Sequence, residues 1–154
     1  EGYDWYYDVD CLGFKDHMND INASIGIVQL KRLDAMNKKR RQISNKYNKA
    51  FKSLEWVDTP VERDYVKSAL HNYVVKVKKG DRNEFISYLA KKGISSSVHY
   101  MPIYLHPYYK EIGIRGACPV ADKVWEKLVT LPLYPDMTSV DIEKVVRTVK
   151  EFGK

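Results

Sequence analysis

The run "NDINASIGIVQLKRLDAMNKKRRQISNKYNKAFKSL" limits the fold more than any other part of this chain, because its apolar pattern changes half-way. Ile21, Ile25 and Val28 share one helical face, while Ala23, Ile27 and Leu30 occupy another. The first half is therefore apolar nearly all round, which predicts a helix buried on several sides. Beyond Leu30 the apolar set narrows to Leu33, Met36, Ile43, Tyr47, Phe51 and Leu54, with "NKKRRQ" on the remaining surface. That is an amphipathic helix exposed on its basic side. One long helix is expected over Asp20 to Leu54, with Asn19 as its N-cap and Asn22 at the return position of a capping box.

The other segments are shorter. "YDWYYDVDCLGF" is aromatic and β-branched and ends at Gly13, so Tyr6 to Leu12 reads as a strand entering a turn. After a loop around "EWVDTPVERDYVKSA", the segment "LHNYVVKVKKG" alternates, with His71, Tyr73, Val75 and Val77 on one face. This predicts a half-buried strand, with His71 as a satisfied core histidine. In "DRNEFISYLAKKG", Asp81 and Glu84 form a capping box and Gly93 a stop, so Arg82 to Lys92 is a helix. "ISSSVHY" is read as a strand and "MPIYLHPYY" as a proline-broken loop. "CPVADKVWEKLVT" gives a third helix and "LPLYP" an extended segment. "TSVDIEKVVRTVKEFG" closes the chain as a helix capped by Thr138, with Asp141 three residues on. The order implies an α+β fold: a small, largely antiparallel sheet covered by helices, with a long N-terminal helix. No GxGxxG and no P-loop follows any of these strands, so dinucleotide and Walker-type phosphate binding are unsupported.

Composition bounds the partners. At 154 residues, 44% of them hydrophobic, the chain has the size and core of one ordinary domain. Its 26 basic against 20 acidic residues give a net charge of +6, which favours anionic partners. The basic residues of "NKKRRQ" lack interleaved stacking aromatics, so a solvated helix face explains them and nucleic acid is not an expected partner. Cys11 and Cys118 are far apart, which suggests neither a zinc site nor a disulfide framework and fits a reducing cytoplasm. No apolar run is long enough to span a bilayer and no signal peptide is evident, so no membrane partner is expected. The start at "EGYDWYY", without methionine, points to a processed, trimmed or incomplete polypeptide.

Two places could carry chemistry. In "GFKDHMND", Lys15 stands between a glycine turn and the long helix, where its ammonium could meet a phosphate and the helix N-terminus would add positive potential. On spacing alone, a solvated turn lysine is the plainer reading, and Asp16, His17 and Asp20 have sufficient local roles in hydrogen bonding and capping. In "SSSVHYMPIYLHPYY", His99 ends the expected strand and enters an aromatic, proline-rich loop that can present a side chain to a ligand. A structural histidine bonded to a loop carbonyl fits equally. His99 and His106 are seven residues apart with Pro102 between them, which is no metal-ligand spacing. Ser95, Ser96 and Ser97 sit in no GxSxG elbow.

The whole chain also resembles the C-terminal part of the DegT/StrS sugar aminotransferases. "LGFKDHMNDINASIGIVQLKRLDAMNKKRRQI" is similar to the family's Gly-Tyr-(Asn or Lys)-Tyr-(Arg or His)-Met-(Asn or Thr)-Asp-Ile-x-Ala-Ala-Ile-Gly-x-x-Gln-Leu signature. "SALHNYVVKV", "YLAKKGISSSVHYMPIYLHPYY" and "CPVADKVWEKLVTLPLYPDMTSVDIEKVV" follow in the family's order and spacing. The resemblance implies the C-terminal small domain of a fold-type I aminotransferase that uses pyridoxal phosphate and works as a homodimer. Residues 1–18 would be the end of a large-domain strand and an active-site loop, and residues 19–154 the small domain with its connecting helix. It implies that Lys15 reaches the cofactor phosphate of the partner subunit, and that His99 and Tyr100 lie near a nucleotide-diphosphate sugar. Asp16 departs from the aromatic residue usual at its position. The resemblance further implies amino transfer, with glutamate as donor, to a keto sugar. The catalytic Schiff-base lysine belongs to the family's large domain, and no lysine here matches it, so this chain alone is expected to be inactive. Two alternatives remain: a dehydratase of the same family, with histidine in place of that lysine, and a stand-alone dimerisation or regulatory module.

Overall fold

A computed structural model describes residues 14, 16–114, 116 and 118–153. The expected strand at Tyr6–Leu12 and the candidate Lys15 lie outside the described residues. The chain divides into two compact units, Glu1–Leu33 and Asp34–Lys154.

Helix α1 spans Asp20–Phe51, close to the expected range. Asn19 caps it: its side-chain oxygen accepts from the Asn22 N–H at 2.8 Å and its carbonyl from the Ala23 N–H at 2.9 Å. Within the first unit, the expected burial on several sides is not found. Ile21, Ile25, Ile27, Val28, Leu30 and Leu33 are all exposed, from 41 to 73%. The physical reason is that the apolar pattern demands a cover that the described residues do not provide.

In the second unit, β1 (Val57–Asp58), β2 (Tyr73–Val77) and β3 (Leu128–Leu131) form an antiparallel sheet in that order. Alternation along β2 puts Tyr73, Val75 and Val77 in the core, each at most 2% exposed. Helices α2 (Arg82–Lys91) and α5 (Ser139–Phe152) add stripes of Phe85 with Leu89 and of Ile142, Val145 and Val149. The second half of α1 adds Ile43, Tyr47 and Phe51 at fourfold spacing, so one face of each helix closes the same core. Asp81 caps α2 by accepting from the Asn83 and Glu84 N–H groups, and Gly93 stops it at φ +68°. Thr138 and Asp141 form a complete capping box on α5.

Four expectations are corrected. "ISSSVHY" is not a strand: only Ser97 pairs, in an isolated antiparallel bridge to Thr130. That register sets Ser95 opposite Pro132, which has no N–H to donate, so the ladder cannot extend that way. His71 is exposed rather than in the core, because β2 begins only at Tyr73, opposite Leu131. The segment Leu128–Thr130 belongs to β3 and not to the preceding helix, α4 (Pro119–Trp125), since pairing to β2 overrides its helical spacing. "MPIYLHPYY" is not irregular throughout but forms a 3-10 turn at Ile103–Leu105 and a short helix, α3 (Pro107–Glu111), started by the proline at its first turn.

Candidate functional site

The site grows from one polar residue in an apolar strand. Val129 and Leu131 of β3 face the core at 0 and 1% exposure, so Thr130 between them presents its side chain on the opposite face of the sheet. Its backbone exchanges two hydrogen bonds with Ser97: the Thr130 N–H donates at 2.7 Å and the Ser97 N–H returns at 3.2 Å. This pair fixes the start of the loop that carries His99. His99 is half-buried, and its Nδ1 lies 2.7 Å from the Thr130 hydroxyl. Tyr100 is 74% exposed, yet its ring meets the imidazole edge to face, with centroids 4.5 Å apart.

A second polar contact anchors the far side of the same loop. The Tyr104 hydroxyl donates to Asp122 Oδ1 of α4 at 2.8 Å. Desolvation, then the Asp122 carboxylate, push the Tyr104 phenol above its ordinary range, so it stays protonated and remains the donor. A Cβ placed on Gly116 would overlap the Tyr104 ring, so backbone lies directly against that ring. The loop between residues 97 and 122 is thereby held at both ends.

Of the residues singled out in the sequence, His99 and Tyr100 come together. Lys15 lies outside the described residues, but Phe14 and Asp16 to Asn19 around it are all exposed. His17, His71 and His106 are exposed too, and no metal-ligating cluster of three or more occurs among the described residues. Tyr104 stood out in the sequence as one of four loop tyrosines, with Tyr100, Tyr108 and Tyr109, that could pack a sugar or base ring or else serve the core or an interface, but its bond to Asp122 was not foreseen. Sequence reasoning missed Thr130 and Asp122. The available signal for Thr130 was a lone hydroxyl in the apolar run "LVTLPL", and nothing local distinguished Asp122.

The Thr130–His99 pair has the composition of a nucleophile with its base. Thr130 is only 7% exposed, however, which denies an incoming electrophile access to its hydroxyl. The pair therefore supports the imidazole, and the chemistry on offer is binding: an imidazole nitrogen and an exposed phenol beside it. A groove of about 780 Å³ lined by Lys39, Gln42, Ile43, Lys46, Asp136 and Met137 contains none of these residues.

The sequence pattern of the DegT/DnrJ/EryC1/StrS aminotransferase family matches residues 2–150. The chain belongs to this family. An uncharacterised protein of Methanocaldococcus jannaschii is 42% identical over 96% of this chain. The spore coat polysaccharide biosynthesis protein SpsC of Bacillus subtilis is 39% identical over 97%. The chain spans about 40% of the length of each. Among solved structures, the PLP form of a candidate sugar aminotransferase of Streptococcus pneumoniae superposes with a TM-score of 0.87 at 32% identity, over 97% of this chain and 39% of that one. The α+β fold with its antiparallel three-stranded sheet is thus a sugar aminotransferase-type domain of the DegT/DnrJ/EryC1/StrS family. No helix among the described residues is long and apolar enough to cross a membrane.

Proposed function

We propose that the chain is the small-domain part of a pyridoxal-phosphate enzyme that moves an amino group from glutamate to a keto sugar carried on a nucleoside diphosphate. The observation that carries this reading is the family match over residues 2–150 in a chain that spans about 40% of its relatives. The remainder of such an enzyme would be a large cofactor-binding domain, and the working unit a homodimer.

The residues present fit a small share of the cofactor. The segment flanking Lys15 is exposed and leads into a capped helix, which suits a single cationic contact to a phosphate but not a full phosphate cradle. Lys15 would supply that contact across the dimer. When bound, the cofactor supplies the carbonyl carbon that carries the amino group between donor and acceptor. His99 and Tyr100 would line the sugar nucleotide, the imidazole as hydrogen-bond donor and the phenol ring as a stacking surface. Binding the oxygen-rich substrate on a loop pinned at Thr130 and at Asp122 limits its freedom before reaction.

Reassembly tests this. The chain is co-expressed with a large domain from a family member, and cofactor absorbance and amino-sugar formation are followed. Both should appear, and Lys15→Ala should weaken cofactor binding about ten-fold, the loss of one charge-assisted hydrogen bond. An assembled protein that neither binds the cofactor nor transfers an amino group would sink the reading.

A further inference from the structure

We propose that Thr130 is a positioning residue for substrate binding: its hydroxyl donates to His99 Nδ1 and so keeps the imidazole proton on Nε2, which becomes the donor offered to an oxygen of the ligand. The proposal rests on the reading that His99 borders the substrate.

The direction of the hydrogen bond follows from burial. Thr130 is 7% exposed, and among the described residues its hydroxyl has no side-chain or backbone partner other than His99 Nδ1, at 2.7 Å. A buried hydroxyl has one proton to place. If Nδ1 is the acceptor, that proton is satisfied and the imidazole carries its own proton on Nε2. If Nδ1–H were the donor instead, the Thr130 proton would be left without an acceptor in a desolvated place, an arrangement that folded proteins avoid. The tautomer of a histidine is set in this way by the partner of its other nitrogen.

Two further features fix the ring. Thr130 is β-branched and sits in a strand paired on both sides, with Val74 of β2 and with Ser97, so its backbone is held and its χ1 is restricted. The edge-to-face contact with Tyr100 at 84° between ring planes holds the imidazole plane from a different side. The ligand group that suits Nε2–H is an acceptor oxygen, which a sugar hydroxyl or a diphosphate supplies.

Thr130→Val keeps the shape and removes the hydroxyl, while Thr130→Ser keeps the hydroxyl. In protein labelled with 15N-histidine, nitrogen chemical shifts report the tautomer, with the His99 signals assigned through His99→Gln. The Nε2-protonated form should dominate in the parent and in Thr130→Ser and give way to a mixture in Thr130→Val. In the reassembled enzyme, Thr130→Val should raise KM for the sugar nucleotide about five-fold, the worth of one hydrogen bond, at unchanged kcat. Thr130→Ser should restore it. In a His99→Gln background, Thr130→Val should add nothing further. An unchanged tautomer in Thr130→Val, or a KM effect that persists without His99, overturns the inference while leaving His99 at the substrate. An unchanged KM in His99→Gln overturns the placement of His99 itself and the substrate role of Thr130 with it.

Discussion

Two tyrosines show how single residues join the core to its polar edges. Tyr47 and Tyr73 are both fully buried and meet edge to face at 5.0 Å, yet each phenol finds a partner. Tyr47 donates to the Pro132 carbonyl at 3.1 Å, and Tyr73 donates to Asn48 Oδ1 at 2.6 Å. Burial pushes the Tyr73 phenol well above its ordinary value of 10. The fold therefore favours the protonated phenol: that stability is fully present below about pH 10 and is lost as pH rises towards the folded value. Tyr73→Phe should lower stability near neutrality by about 1 kcal/mol, for one hydrogen bond removed. It should also lose less stability than the parent above pH 10. Urea unfolding at pH 7 and at pH 10.5 measures both effects, and equal alkaline losses in the two proteins would show that Tyr73 does not carry this linkage.

Among the elements, α5 has the most complete local instructions. Thr138 Oγ1 accepts from the Asp141 N–H at 3.2 Å, and the Asp141 carboxylate accepts from the Thr138 N–H at 2.9 Å. Thr138→Ala should cost about 1 kcal/mol, the usual worth of such a cap, read as a fall in the urea midpoint. The bonds to Thr138 hold the Asp141 carboxyl below its ordinary 3.8. Its contribution is thus present above about pH 4 and disappears as pH falls through the lower, folded value. Asp141→Asn should flatten the acid side of the stability profile between pH 5 and pH 2, and an unaltered acid slope would exclude the box as its source. Such elements are legible because caps and stripes lie within a few residues of one another: α2, α5, β2 and the span of α1 all follow from local spacing. The failures occur where a distant residue decides. Pro132 ends the pairing that "ISSSVHY" needed, His71 falls before the first paired residue of β2, and β2 recruits Leu128–Thr130 away from a helical pattern. The site follows the same rule. His99 stood out by its place before a proline-rich loop, whereas Thr130 gained its meaning only from a partner 31 positions away.

At the scale of the whole molecule, the unresolved tension is the first half of α1. Six large apolar side chains stay exposed there, although soluble proteins rarely leave apolar patches of this kind uncovered. The chain spans about 40% of its relatives' length, so a cover could come from the large domain of the proposed enzyme. Ile25 discriminates this from an inert exposed surface, because it is 55% exposed and lies outside the core cluster of the Asp34–Lys154 unit. Ile25→Lys should leave the unfolding midpoint of that unit within about 0.5 kcal/mol, as surface substitutions do. If the face is covered on assembly, the same substitution buries an unpaired ammonium and should weaken association with the large domain by at least ten-fold. Co-purification and sedimentation with the large domain measure this. Assembly of the lysine variant at parental affinity would mean that the apolar half of α1 serves some contact other than the one between the two domains.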